Sequence, residues 1–193
     1  MRFANPKTAG EKILNTAARK ILADAPFGPN GQDAANEIVF DHMESFALAY
    51  ASPDFISVTH VFYADEGGAH GNGGTSNINI DMRKGKEVKA TDIFSNEALV
   101  TLTTTCRDQI LARKQENYGD EKYVVADDSN FQESTVADTM RDFQQWTIAE
   151  DKAIVTFNSY TVGSYAEGPY ECEFAMDKLR ALAKSEVLLP KGE

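Results

Sequence analysis

Gly67-Gly68-Ala69-His70-Gly71-Asn72-Gly73-Gly74 separates two runs that alternate like β-strands, and how this stretch is read decides the fold. Before it, Ile56, Val58, His60 and Phe62 occupy every second position; after it, Ile78, Ile80 and Met82 alternate with Asn77, Asn79 and Asp81. A period of two puts each set on one face of a strand. Glycines at this density imply backbone that turns sharply between them. Upstream, Phe46, Leu48 and Tyr50 alternate with small residues and Ser52-Pro53-Asp54 supplies a turn. Residues 46–62 therefore read as a hairpin, and 78–82 as the third strand of a meander that leads through Lys84-Gly85-Lys86 toward Val88.

Away from this centre the period changes. Thr8 and Glu11 have capping-box spacing ahead of Ile13, Leu14, Ala17, Ala18, Ile21 and Leu22, which predicts a helix over 8–23 that ends before Pro26. Residues 26–31 are a loop by their turn residues, and the stretch that follows is ambiguous, with a strand favoured for its later part. From Glu97, Leu99, Leu102, Cys106 and Ile110 fall on one helical face with Arg107, Arg113 and Lys114 elsewhere, so a helix is expected to about Gln115. Residues 116–130 are polar and read as a loop. Residues 143–148 and 153–157 read as a hairpin around Glu150-Asp151, residues 171–174 as a last strand, and 177–183 as a short helix. These elements predict the α+β class: a predominantly antiparallel sheet, built from hairpins and a meander, with two to three helices packed on it.

Composition narrows the partners. The 193 residues carry a formal net charge of -11, which opposes unassisted binding to nucleic acid or an anionic lipid surface and attracts a basic protein. The acidity is uneven: 12 acidic and 9 basic residues precede Glu97, against 18 and 10 from Glu97 onward. No run has the length and apolarity of a membrane span, and no apolar signal core follows Met1. Cys106 and Cys172 are an even pair without metal or redox spacing; a disulfide and two buried thiols are both open readings.

The glycine loop lacks a dinucleotide fingerprint and a Gly-Lys-Ser/Thr ending, and the run after it is strand-like, so phosphate cradling is rejected. A metal reading would join His70 to Asp65 or Glu66, with His60 as a further ligand, but no established ligand spacing is present and no metal or cofactor is expected. The structural alternative has Gly67, Gly68 and Gly71 turn the chain while His70 satisfies backbone groups. There is no Gly-x-Ser-x-Gly elbow, and the carboxylate pairs Asp65-Glu66 and Asp127-Asp128 are adjacent and so diverge along an extended chain. In Tyr160-Thr161-Val162-Gly163-Ser164-Tyr165-Ala166-Glu167-Gly168-Pro169, two readings stand. The tyrosines form an aromatic groove for a glycan or peptide, or they cover the core beside a rigid turn set by Gly163, Gly168 and Pro169.

Taken with Ser57-Val58-Thr59-His60-Val61-Phe62-Tyr63, Thr91-Asp92-Ile93-Phe94 and Phe157-Asn158-Ser159-Tyr160, these two motifs make residues 44–183 resemble the RsiV-like domain of unknown function. That domain also occurs in the non-catalytic N-terminal region of PdaC-type peptidoglycan deacetylases. On this resemblance, 1–43 is an N-terminal helix and connector, the tail of a preceding module, and 44–193 is the domain itself. The resemblance implies a periplasmic or surface-exposed domain of the cell envelope whose targeting segment lies outside this chain. It also implies a non-catalytic role in binding a protein, such as lysozyme or another basic protein, or a peptidoglycan fragment. His70, Asn72, Tyr160, Tyr165 and Glu167 are the expected binding cluster. The alternative is a cell-wall hydrolase or metal-dependent deacetylase that uses His70 and nearby carboxylates.

Overall fold

The structure, a computed structural model, describes residues 3–24, 41–65, 67–184 and 188–191. The expected loop at 26–31, the ambiguous stretch after it, and Glu66 lie outside the described residues. The chain divides into two compact units, Met1–Glu87 and Val88–Glu193. Each has its own antiparallel sheet, so the α+β class holds while the strands fall into two sheets, with helices distributed between the units.

In the first unit, helix α1 (Ala9–Asp24) precedes a meander of β1 (Asp41–Ala51), β2 (Phe55–Asp65), β3 (Asn72–Asp81) and the short β4 (Lys86–Glu87), in that order across the sheet. The capping box forms as read: the Glu11 amide donates to Thr8 Oγ1 (3.2 Å) and the Thr8 amide to Glu11 Oε2 (3.1 Å). Leu14 and Ala18 then bury against Ile56, Val58, Ile78 and Ile80. These four share one sheet face because β2 and β3 pair without interruption from Phe55↔Asp81 to Ala64↔Asn72. Burying side chains of this size contributes about 1.5–3 kcal/mol each. Asp81 closes the sheet at β4, its Oδ1 accepting from the amides of Arg83 and Lys84 at 3.0 Å each.

The second unit contains α2 (Ala90–Ile93), α3 (Asn96–Tyr118), α4 (Glu133–Arg141), the sheet β5 (Trp146–Ile148), β6 (Lys152–Phe157) and β7 (Tyr170–Ala175), and α5 (Met176–Leu182). Ser95 caps α3 by accepting from the Ala98 amide (3.1 Å), and the helix runs beyond Gln115 to Tyr118. The expected strand at 143–148 opens instead with a 3-10 turn over Phe143–Gln145, because Asp142 accepts from the Gln144 amide and ends the preceding helix. Trp146 is fully buried among Phe94, Phe143 and Phe174, stacked on the last with ring centroids 5.7 Å apart, and donates from Nε1 to the Met140 carbonyl (3.1 Å). In β7, Tyr170, Cys172 and Phe174 point inward and Glu171 and Glu173 outward, the alternation expected of a half-buried strand.

Cys106 on α3 and Cys172 on β7 form a disulfide, with Cα atoms 5.2 Å apart. Of the two readings open in the sequence, the structure adopts the bridge. It closes a loop with a sequence separation of 66 residues, for which chain entropy predicts about 4 kcal/mol of stabilisation.

Candidate functional site

The residues singled out in the sequence divide between the units: His70 and Asn72 lie in the first, and Tyr160, Tyr165 and Glu167 in the second. In the glycine loop, Asp65 Oδ1 accepts from the Gly67 amide (2.9 Å), and Gly67 takes a positive φ of 76° to make the turn. At Gly71 the Tyr63 ring approaches closely, and a Cβ there would fall on it unless the ring moved. His70 is exposed and its Nδ1 lies 3.0 Å from the Gly71 carbonyl, so the ring closes on its own loop. Asn72 is exposed where β3 begins, opposite Ala64. Among the described residues, no group of three or more His, Cys, Asp or Glu is placed to hold a metal ion.

The first unit also assembles a polar line that the sequence reading did not find. Glu44 Oε1 meets His42 Nε2 at 2.9 Å, Glu44 Oε2 pairs with His60 Nε2, and His60 Nδ1 lies 3.0 Å from Ser76 Oγ. The register places Phe46, His60 and Ser76 side by side across β1, β2 and β3. The His60 ring is stacked between Phe46 and Phe62, with centroids 4.8 and 5.8 Å away. The connectivity is that of a serine, imidazole and carboxylate relay, but the imidazole is sealed between two phenyl rings, as suits a buried histidine with both nitrogens satisfied. Alternation at His42-x-Glu44-x-Phe46 was the available signal; it fell at the edge of the ambiguous stretch.

In the second unit, Lys114 is fully buried, which corrects its expected placement off the apolar face of α3. It lies four residues after Ile110 and continues the stripe of Leu102, Cys106 and Ile110. Its Nζ donates to Asp128 Oδ2 (2.8 Å) and Glu167 Oε2 (2.9 Å) and stands 5.0 Å from the Tyr170 ring centroid. Tyr123 donates to Asp128 Oδ2 (2.9 Å), while Glu167 accepts from the Tyr170 hydroxyl and the Ser164 amide, both at 2.6 Å. Burial opposes ionisation of Glu167, but the hydrogen bonds from Tyr170, Lys114 and Ser164 outweigh it and hold the carboxyl down at about 2. Burial likewise works against the Lys114 charge, and its two carboxylate partners reverse the effect and raise it. A lysine so held is a permanent cation that anchors three segments of chain, not a nucleophile.

Glu167 is thus committed to holding the Tyr160–Pro169 segment in place. Gly163 is closed in by Tyr170 and Glu167, while Gly168 turns the chain at φ 73° ahead of the exposed Pro169. Tyr160 is 58% exposed and has a φ of 70°, the left-handed region that side chains rarely adopt, within a turn closed by the Thr161 amide on the Asn158 carbonyl (3.0 Å). Its ring lies 5.5 Å from that of Tyr165. The same turn forms one wall of an open cleft of about 370 Å³; the other walls come from the end of α4, the 3-10 turn after it and β6.

Residues 91–176 match the family model DUF3298, described as a protein of unknown function. This span includes the Lys114 cluster, the disulfide and the tyrosine segment; the glycine loop lies outside it. No curated protein matches the sequence. A solved member of the DUF3298 family from Bacteroides fragilis is similar with a TM-score of 0.58 at 17% identity over 91% of this chain. A DUF3298 family protein from Pseudomonas aeruginosa is similar with a TM-score of 0.55 at 16% identity over 92%. This chain spans 64% of the Bacteroides chain and 72% of the Pseudomonas chain, and at such identities the likeness is one of fold. The chain is thus similar to the DUF3298 family in sequence over residues 91–176 and to solved DUF3298 proteins in fold.

Proposed function

We propose that this chain is a non-catalytic module of the cell envelope, periplasmic or surface-exposed, that binds a basic protein of the lysozyme type. The observation that carries the reading is the net charge of -11, concentrated from Glu97 onward, which favours encounter with a cationic partner. The Cys106–Cys172 disulfide supports an oxidising compartment, and no described helix is long and apolar enough to cross a membrane. The likeness of the two motifs to RsiV-like domains supports the choice of lysozyme. Exposed His70, Asn72 and Tyr160 are the contact candidates, with Tyr165 beside Tyr160 and Glu167 tying their segment to Lys114. The enzyme reading has less support: Asp65, the described carboxylate nearest His70 in sequence, is used to cap the loop turn.

Titration of the purified chain with hen lysozyme tests the proposal. Saturable binding is expected at micromolar concentrations, weakening by about tenfold or more as salt rises from low to moderate ionic strength. Absence of saturable binding at low salt removes the lysozyme assignment.

A further inference from the structure

We infer that the cleft beside the Tyr160 turn is a carbohydrate-binding site for oligosaccharides without acidic groups. Its volume of about 370 Å³ lies in the range of small-molecule sites, about 300–1,000 Å³. Every residue lining it carries a polar side chain, among them Asp138, Asp142, Gln145, Thr156, Asn158 and Thr161. Hydroxyls, amides and carboxylates in such a set can accept from and donate to the alternating hydroxyls of a sugar ring, whereas an apolar ligand would leave them unpaired. Two aspartates disfavour an anionic sugar.

Two features indicate that the cleft is prepared for a ligand. Thr156 lines the cleft from β6. Asp142 is fixed, its Oδ1 accepting from the Gln144 amide and its Oδ2 from Gln145 Nε2, both at 3.1 Å, so this wall is rigid before a ligand arrives. The second feature is Tyr160 itself. A tyrosine 58% exposed gains little from burial, and at φ 70° it occupies a conformation that glycine would take without strain. The turn it belongs to supplies Asn158 and Thr161 to the cleft, and its ring lies 5.5 Å from that of Tyr165, a flat apolar area of the kind that suits the C–H face of a pyranose. The strained residue is exposed and belongs to the turn that forms one wall of the cleft.

Tyr160 is shared with the surface proposed to capture a basic protein, and the test tells the two apart by their ligands. The intact chain is titrated with tetra-N-acetylchitotetraose, whose amide groups suit Gln145 and Asn158, with maltotetraose, and with an oligogalacturonate. Saturable binding of at least one neutral probe is expected, with the acidic probe weaker by about tenfold or more. Tyr160→Gly should reduce neutral-probe affinity by about tenfold or more while its melting temperature stays at or above that of the parent, because glycine relieves the φ strain. Asp138→Asn, which changes an exposed carboxylate with no side-chain partner among the described residues, should weaken the neutral probe and narrow the gap to the acidic one. The inference is overturned if neither neutral probe saturates below about 10 mM, if the acidic probe binds as well as the neutral ones, or if Tyr160→Gly binds as the parent does. It is equally overturned if Tyr160→Gly lowers the melting temperature, since the ring would then be a structural prop. Lysozyme binding measured on the parent chain reports on the other proposal independently.

Discussion

The two loops that stand out in the sequence are built on opposite principles. The Gly67–Gly74 loop joins strands whose register runs unbroken from Ala64↔Asn72, and its conformation follows from backbone: a turn at Gly67 and the close approach of Tyr63 at Gly71. The Tyr160–Pro169 segment has no such ladder. It is held by side chains from distant parts of the second unit, with Lys114 reaching Glu167 and Asp128 at once, so one buried cation organises it. A loop set by its ladder tolerates changes in its side chains, whereas a segment set by one charge depends on that charge.

The largest expected effect follows from removing the cation. Lys114→Met leaves Glu167 and Asp128 without their partner and should cost about 3–5 kcal/mol in denaturant unfolding. A loss under about 1 kcal/mol would mean that the tyrosine segment is held by something else. Next is the response to acid. The folded-state value for Glu167 lies below its ordinary value of 4.5, at about 2, so the stability it confers is fully present above pH 4.5 and disappears as pH falls from there toward 2. The contribution is of order 2–3 kcal/mol. Unfolding measured against pH should show this acid limb, and Glu167→Gln should flatten it.

Glycine substitutions give the smallest and most discriminating contrast. At Gly168 a Cβ meets nothing within 4 Å, so Gly168→Ala isolates the cost of φ 73°, about 1 kcal/mol. At Gly71 the obstacle is the far end of Tyr63, which is 37% exposed and can swing outward, so Gly71→Ala should cost less than about 0.5 kcal/mol. Thermal unfolding orders the two, and the reverse order would break the distinction between the loops.

Elements with a strong period were legible in the sequence. The α1 capping box, the β1–β3 meander, α3 and the alternating β7 each carry their buried face within one local pattern. The helix α4 did not, because only Val136 and Met140 of its nine residues are buried, too few to mark a stripe. Lys114 was misplaced for a chemical reason: a charged residue in an apolar register is ordinarily assigned to solvent, and the carboxylates that reverse this lie 14 and 53 residues away. The division into two sheets was equally hidden, since alternation reports which face a residue occupies but not which sheet its strand joins. At the candidate site, Tyr160 and Tyr165 were visible as an aromatic motif; the cleft beside them was not, because Asp138, Thr156 and Asn158 come from α4, β6 and the turn after it.

The Cys106–Cys172 bridge makes everything between those residues part of a covalent ring. A protease that cuts once inside the ring, in the polar stretch around 119–130 or at the exposed Tyr160 turn, opens the chain without releasing either piece. The nicked protein would run as one band on a non-reducing gel and separate only after reduction. Both pieces would thus remain tethered after damage.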